Sequence, residues 1–162
     1  MLHRIFLFVH VLSAFLYLIA HGGSVAVAFR VRRETSAERV RALLDLSRST
    51  VAVANYMFLA TLLCGVALGF LGHWWSAGWI WLSIVILVMV LAVMGRAAAP
   101  YFRRIRGATG LVLADGTWRH TGRESTAEEL ERALESGNPV AITALSIVGW
   151  AVIVWLMLFK PF

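Results

Sequence analysis

Apolar residues run in long stretches along the chain, and charged residues cluster between them. Twenty-five residues without Lys, Arg, Asp or Glu separate Arg4 from Arg30, and residues 49–95 carry no such charge either. The latter stretch is too long for one helix, and the segment 72–78, which begins and ends with glycine, divides it. Crossing a bilayer takes about 20 apolar residues in a helix. The pattern therefore predicts four membrane spans, at about residues 5–29, 51–71, 79–99 and 139–159.

Two connections between the predicted spans, 30–50 and 100–138, carry signals of smaller elements. The sequences Thr35-Ser36-Ala37-Glu38 and Ser125-Thr126-Ala127-Glu128 each have the form of a capping box before a short amphipathic helix. Between them, residues 110–120 alternate around Asp115-Gly116, a pattern typical of a β-hairpin.

These elements predict the fold class. We expect an all-α protein with a single transmembrane domain over residues 1–162. It should be an integral membrane four-helix bundle, with a small cytoplasmic β-hairpin and short amphipathic helices.

Composition and charge support a membrane protein and give its predicted direction. The chain is 60% hydrophobic and 15% charged, whereas soluble domains are about half apolar and a quarter charged. Thirteen of the 15 Lys and Arg residues fall in segments 30–48 and 96–138. The positive-inside rule therefore predicts cytoplasmic connections and two periplasmic termini in a bacterial inner membrane. Because the arginines flank apolar spans, their charge indicates no nucleic-acid partner; the expected partners are lipid and a second protomer or membrane subunit.

Two further patterns predict packing. Five tryptophans near the ends of spans are expected to be interfacial anchors: Trp74, Trp75, Trp79, Trp81 and Trp155. The GxxxG motif formed by Gly65 and Gly69 predicts a close helix–helix contact.

One face of the first span is polar. His10, Tyr17 and Ser24 recur every seven residues, which keeps them on one side of a helix, and His21 falls beside them. Polar side chains within the membrane face the protein interior. We therefore expect this stripe to face inward, with Phe8 and Phe15 facing lipid.

The two histidines of the stripe are candidate functional residues, because ionisable groups are rare within the membrane. They lie eleven residues apart, roughly 16 Å along a helix, so they cannot bind the same metal ion. Three interpretations remain open: hydrogen bonding between helices, haem ligation, or a metal site or proton pathway that includes His10.

Several residues resemble those of known families. The residues that carry this resemblance are His10-Val11-Leu12, Tyr17, His21-Gly22-Gly23 and the closing Lys160-Pro161-Phe162. In them the chain is similar to small four-helix bacterial membrane proteins of unassigned function. More distantly it resembles the haem-containing membrane protoporphyrinogen oxidases. That resemblance implies His10 as a haem ligand, followed by an aromatic residue seven positions on, and Lys160 as the lysine of the tail. The His and Lys that those enzymes carry near the start of the third span are missing, so tetrapyrrole binding is implied more strongly than oxidase activity.

The leading functional hypothesis is a small protein that binds haem b and passes electrons. His10 would ligate the iron, and His73 or His10 of a second protomer would be the second ligand unless the iron is five-coordinate. A second haem at His21 is also open. The alternatives are a structural or partner-binding subunit without a cofactor, and a metal or small-solute permease.

Overall fold

The computed structural model describes residues 1–114, 117–121 and 126–162. Its helices are α1 (Leu2–Val31), α2 (Ala37–Leu71), α3 (Gly78–Val93), α4 (Ala99–Ala108), α5 (Ala127–Glu135) and α6 (Pro139–Phe159). A 3₁₀ turn (Trp74–Ser76) follows α2, and a π-helical turn (Met94–Ala98) joins α3 to α4. Strands β1 (Leu111–Ala114) and β2 (Thr117–His120) form an antiparallel hairpin.

Four helices of the described chain are long and apolar enough to cross a membrane: α1, α2, the continuous α3–α4 helix, and the helical run that ends in α6. Together with the hairpin and the short amphipathic α5, they confirm the predicted all-α membrane bundle. Asp115 and Gly116, on which the hairpin prediction centred, lie outside the described residues, as does Ser125 of the second capping box.

The first predicted amphipathic helix is not separate, because α2 continues without a break into the second span. Residues 37–64 contain no Gly or Pro, so nothing interrupts the helix before Gly65. The N-cap is Ser36, one residue later than the capping box predicted, and its hydroxyl accepts a hydrogen bond from the Arg39 N–H. The buried carboxylate of Glu34 accepts from the next two backbone N–H groups, which holds the turn before α2.

Both chain termini and the turn at residues 72–78 meet at one end of the bundle, which we call the tryptophan-rich end. The His3 ring packs edge-on against Trp74, and the Lys160 ammonium lies over the same indole. The opposite end, where the connections rich in arginine lie, is called the arginine-rich end.

The arginine-rich end has a well-packed core formed by α1, α2, α4 and α5. Its buried members are Val27, Val31, Val40, Leu44, Tyr101, Ile105, Leu130 and Ala133. The apolar face of α5 is therefore buried against the bundle, as its amphipathic pattern requires. The hairpin also lies against this end, where the Arg106 guanidinium is 5.1 Å from the centre of the Trp118 ring.

In the membrane-spanning part, the helices pack mainly as two pairs, α1 with α2 and α3 with α6. The second pair is close at Gly149, where an added Cβ would overlap Val90 Cγ2. Helices α2 and α3, both fully described, make almost no direct contact with each other despite the short turn that joins them. A gap is thereby left on one side of the bundle.

Candidate functional site in the tryptophan-rich half of the bundle

The polar stripe of α1 faces the neighbouring helices, as predicted. Ser24 Oγ lies 2.9 Å from Thr50 Oγ1 of α2. On the other side of α1, Phe8 and Phe15 are 66% and 61% exposed. Because water is scarce within a membrane, these exposed rings face lipid, and the polar groups find partners inside the protein.

Near the tryptophan-rich end, the stripe contacts Thr61 of α2. His10 Nδ1 lies 2.8 Å from the Thr61 carbonyl oxygen, and Ser13 Oγ lies 2.9 Å from Thr61 Oγ1. The ring of His10 fits here because residue 65 is a glycine: an added Cβ would lie only 3.1 Å from His10 Cε1. The small residues of α2 therefore accommodate aromatic rings, and not only another helix as the GxxxG motif predicted.

The contact with Thr61 also decides which nitrogen of His10 carries the proton. A carbonyl oxygen only accepts hydrogen bonds, so Nδ1 must be the donor. The other ring nitrogen, Nε2, has no hydrogen-bond partner in the described chain. Metal-bound histidines in proteins are held in the same way, with one ring nitrogen donating to a carbonyl and the other ligating.

Deeper in the bundle, the stripe continues as a group of stacked rings. The Tyr17 and His21 rings stack with centroids 5.6 Å apart, and Tyr17 also packs on Trp150 of α6 at 4.8 Å. His21 Nε2 lies 3.0 Å from Ser146 Oγ. His21 is thus hydrogen-bonded to α6, which matches the interhelical role considered for it.

A cavity of about 220 Å³ lies in the gap between α2 and α3. Its lining is almost wholly apolar, with His10 and Thr61 on one side and Ser83 of α3 on another. The remaining lining residues are mostly aliphatic and aromatic: Leu7, Phe58, Leu62, Gly65, Val66, Leu68, Trp74, Trp75, Trp79, Ile80, Ile84, Leu87, Trp150, Ile153, Met157 and Lys160.

The C-terminal residues lie at the tryptophan-rich edge of the cavity, which Lys160 lines. Lys160 has a left-handed backbone with a φ of 45°, and its ammonium lies 4.1 Å from the centre of the Trp74 ring. The Phe162 carbonyl oxygen accepts a hydrogen bond from the Trp79 N–H at 3.4 Å. These contacts hold one cation at the edge of the cavity, over the faces of the indoles.

One indole N–H group in the cavity lining remains available in the described chain. Trp75 Nε1 is buried and has no hydrogen-bond partner there, whereas the Trp150 side chain packs against Tyr17. A buried donor without a partner costs about 1–3 kcal/mol. A bound molecule that offers an acceptor to the Trp75 indole would recover part of that cost.

Of the four predicted binding residues, only His10 lines the cavity. Tyr17 and His21 lie together deeper in the bundle, at the contact with α6. His73 is exposed, with a left-handed φ of 55°, and is not among the residues that line the cavity. The structure thus separates His10 from the other predicted ligands.

The tryptophans differ from the expected belt. Trp81 and Trp155 are 55% and 49% exposed and suit interfacial anchors. The expectation is wrong for Trp79, which is only 6% exposed, while Trp74 and Trp75 are half-buried. The tight turn after α2 folds these three rings over the end of the bundle, where they line the cavity instead of facing lipid.

Sequence reasoning missed Ser83, Trp150 and Met157 as cavity residues. Each lies in a uniformly apolar helix whose inward side cannot be identified from periodicity. One sequence signal for the cavity was present, namely Gly65, four positions from Thr61. A glycine one turn from a polar residue in a membrane helix indicates space for a side chain from a neighbouring helix.

Within the described residues, no three His, Cys, Asp or Glu side chains are grouped so that they could hold a metal ion. His10 is therefore not part of a metal site made of such side chains there. Comparison of the chain with models of protein families, with curated proteins and with solved structures finds no match.

Proposed function

We propose that this chain is a small haem b protein, with the haem in the cavity between α2 and α3 and His10 Nε2 as the ligand of its iron. The observation that carries the proposal is the hydrogen bond from His10 Nδ1 to the Thr61 carbonyl. It fixes the ring orientation and puts a proton on Nδ1, and it leaves Nε2 as the ring nitrogen without a partner in the described chain, beside an apolar cavity. Electron transfer is the activity that we assign to such a haem.

The charge distribution around the cavity suits an amphiphilic macrocycle. The walls are apolar and aromatic, while Lys160 supplies a cation at the tryptophan-rich edge. His3 packs on the same indole as Lys160, so these two side chains lie at a similar depth. His10 follows His3 by seven positions, which places His10 about 10 Å from that depth along α1. Lys160 would pair with the carboxylates of the haem, and His10 would hold its centre.

The available space is consistent with a cofactor only if α2 and α3 separate further. Ligand pockets of drug size are about 300–1,000 Å³, and this cavity is about 220 Å³. Because α2 and α3 scarcely touch each other, moving them apart breaks few contacts. The edge of the macrocycle would then lie between these helices, toward lipid.

Met157 is the candidate for a second protein ligand. It lines the same cavity from α6, and a methionine sulfur paired with a histidine nitrogen is an established arrangement for haem iron. This assignment replaces His73 in the proposal, since His73 does not line the cavity.

The experiment is optical and uses the full-length protein. Cells supplied with haem would express the wild type, His10→Gly, His21→Ala and His73→Ala, and each purified protein would be titrated with haem. We expect a Soret band and sharp reduced α and β bands in all but His10→Gly. Adding imidazole to His10→Gly should restore the spectrum, because free imidazole can enter the space left by the deleted ring.

Several outcomes would contradict the proposal. Retention of the wild-type spectrum in His10→Gly would mean that another residue holds the iron. If instead the wild type itself takes up no haem, the protein is better described as a structural or partner-binding subunit. The hydrogen bonds of Ser24 and His21 to neighbouring helices favour that second candidate, since they are what helix packing alone requires.

We also propose that the arginine-rich end faces the cytoplasm of a bacterial inner membrane. The support is the excess of Lys and Arg in segments 30–48 and 96–138 of the sequence, thirteen residues against two elsewhere. A reporter fused after Phe162 should be periplasmic, and one inserted at Gly116 should be cytoplasmic. Finding both reporters on one side would contradict the orientation and the four-span topology.

A further inference from the structure

A second cleft lies at the arginine-rich end of the α3–α4 helix, beside the start of α6. Its volume is about 310 Å³, and it is lined by two arginines, Arg96 and Arg104. Arg96 belongs to the π-helical turn, where one extra residue per turn shifts the phase of the helix. Both arginines line this one cleft, although eight residues separate them.

Neither arginine has a charged partner among the residues that the structure describes. No hydrogen bond or ion pair joins Arg96 or Arg104 to any residue in the described part of the chain, and no Asp or Glu is among the residues that line the cleft. Two guanidinium groups at the same cleft repel each other. An anion with several acceptor oxygens would relieve that repulsion and satisfy donors on both arginines.

The depth of the cleft is that of the lipid headgroups. Helix α6 has 21 residues, from Pro139 to Phe159, which gives about 31 Å, close to the thickness of the hydrocarbon core of a bilayer, about 30 Å. Its first residues therefore lie where hydrocarbon gives way to headgroups. Asn138, Ala141 and Ile142, from the start of α6, line the cleft and place it at this boundary.

One side of the cleft continues into the apolar surface of the bundle. Ala97 and Ile142 contribute apolar lining, and the exposed Leu145, one turn after Ala141, extends that surface along α6. A phosphate in the cleft would thus have an apolar surface directly beneath it. That combination fits a phospholipid better than a free anion.

We propose that this cleft binds the phosphate of an anionic phospholipid, with Arg96 and Arg104 as its ligands and the acyl chains against α6. Basic pockets between membrane helices hold anionic headgroups by the same combination of charge and adjoining apolar surface. The site lies at the opposite end of the bundle from the His10 cavity and does not depend on haem binding.

The test measures lipid binding to the purified, detergent-solubilised protein by native mass spectrometry, with phosphatidylglycerol as the probe. The variant Arg96→Gln/Arg104→Gln keeps a polar side chain at both positions and removes both charges. We expect its phosphatidylglycerol affinity to fall at least tenfold, about 1.4 kcal/mol. Phosphatidylcholine should bind weakly and equally to both proteins, and glycerol phosphate should bind far more weakly than the lipid.

A matched control is Arg33→Gln/Arg103→Gln, which removes two exposed charges at the same end but outside the cleft. Its affinity should stay within about twofold of the wild type. A further variant, Ala141→Leu, keeps both arginines and fills the cleft, so it should also lose affinity. An equal loss in the control pair would show that overall charge is responsible and would overturn the proposal. Unchanged binding in Arg96→Gln/Arg104→Gln would overturn it as well, and tight binding of glycerol phosphate would identify a soluble anion as the ligand instead.

Discussion

The contact between α3 and α6 at Gly149 makes a quantitative prediction possible. In Gly149→Ala, the added methyl would overlap Val90 Cγ2, since ordinary contacts between carbon atoms are about 3.5–4.0 Å. Valine in a helix has essentially one allowed rotamer, so Val90 cannot turn away cheaply. The two helices must therefore separate, and overpacking of this kind costs about 1–3 kcal/mol.

The same substitution also brings a gain, since alanine favours a helix over glycine by about 1 kcal/mol. Gly22→Ala in α1 provides the matched control, because nothing lies within 4 Å of a Cβ added at that position. Gly22→Ala should thus be neutral or stabilising, and Gly149→Ala should be less stable than Gly22→Ala by about 1–3 kcal/mol. The propensity gain is common to both variants and cancels in the comparison.

The assay is reversible unfolding of the purified protein in mixed micelles, with helicity followed by circular dichroism as the fraction of sodium dodecyl sulfate rises. The double variant Val90→Ala/Gly149→Ala also removes the Val90 methyl groups that the added Cβ would contact. Its loss of unfolding free energy should be smaller than the sum of the losses in Val90→Ala and in Gly149→Ala, with a coupling of about 0.5–3 kcal/mol. If Gly149→Ala is as stable as Gly22→Ala and shows no coupling to Val90, the close approach of α3 and α6 is wrong.

Two smaller effects follow from hydrogen bonds elsewhere in the fold. Ser146→Ala removes the hydrogen-bond partner of His21 Nε2 and should lower the free energy of unfolding by about 0.6 kcal/mol, with an upper bound near 1.7 kcal/mol. The control is Ser146→Thr, which keeps the hydroxyl. A zero coupling between Ser146→Ala and His21→Ala would argue against the hydrogen bond. Thr126→Ala removes the hydroxyl that caps α5 at the Glu129 N–H and should cost about 0.5–2 kcal/mol. Faster amide hydrogen exchange confined to α5 would reveal the loss of that cap, and Thr126→Ser should exchange like the wild type. Unchanged exchange in Thr126→Ala would contradict a capping role for Thr126.

The membrane fold could be predicted from the sequence because its cause is local and repetitive. Charge-free stretches of sufficient length force the backbone to satisfy its own hydrogen bonds as helices in lipid. The seven-residue spacing of His10, Tyr17 and Ser24 likewise determined the inward side of α1, because side chains seven apart share a helix face whatever surrounds them. Prediction failed at helix ends, as at Ala37, where the charged beginning of α2 and its apolar remainder proved to be one helix.

The site itself depends on tertiary structure. Uniformly apolar helices such as α3 and α6 give no periodic signal, so the inward positions of Ser83 and Met157 follow only from how the helices pack. The turn after α2 folds Trp79 into the bundle, and the Thr61 carbonyl determines which nitrogen of His10 is free. These features arise from contacts between residues far apart in the chain. The sequence by itself therefore decides that the chain forms four membrane helices with a polar face on the first, and the packing of those helices decides where a cavity remains and which histidine lines it.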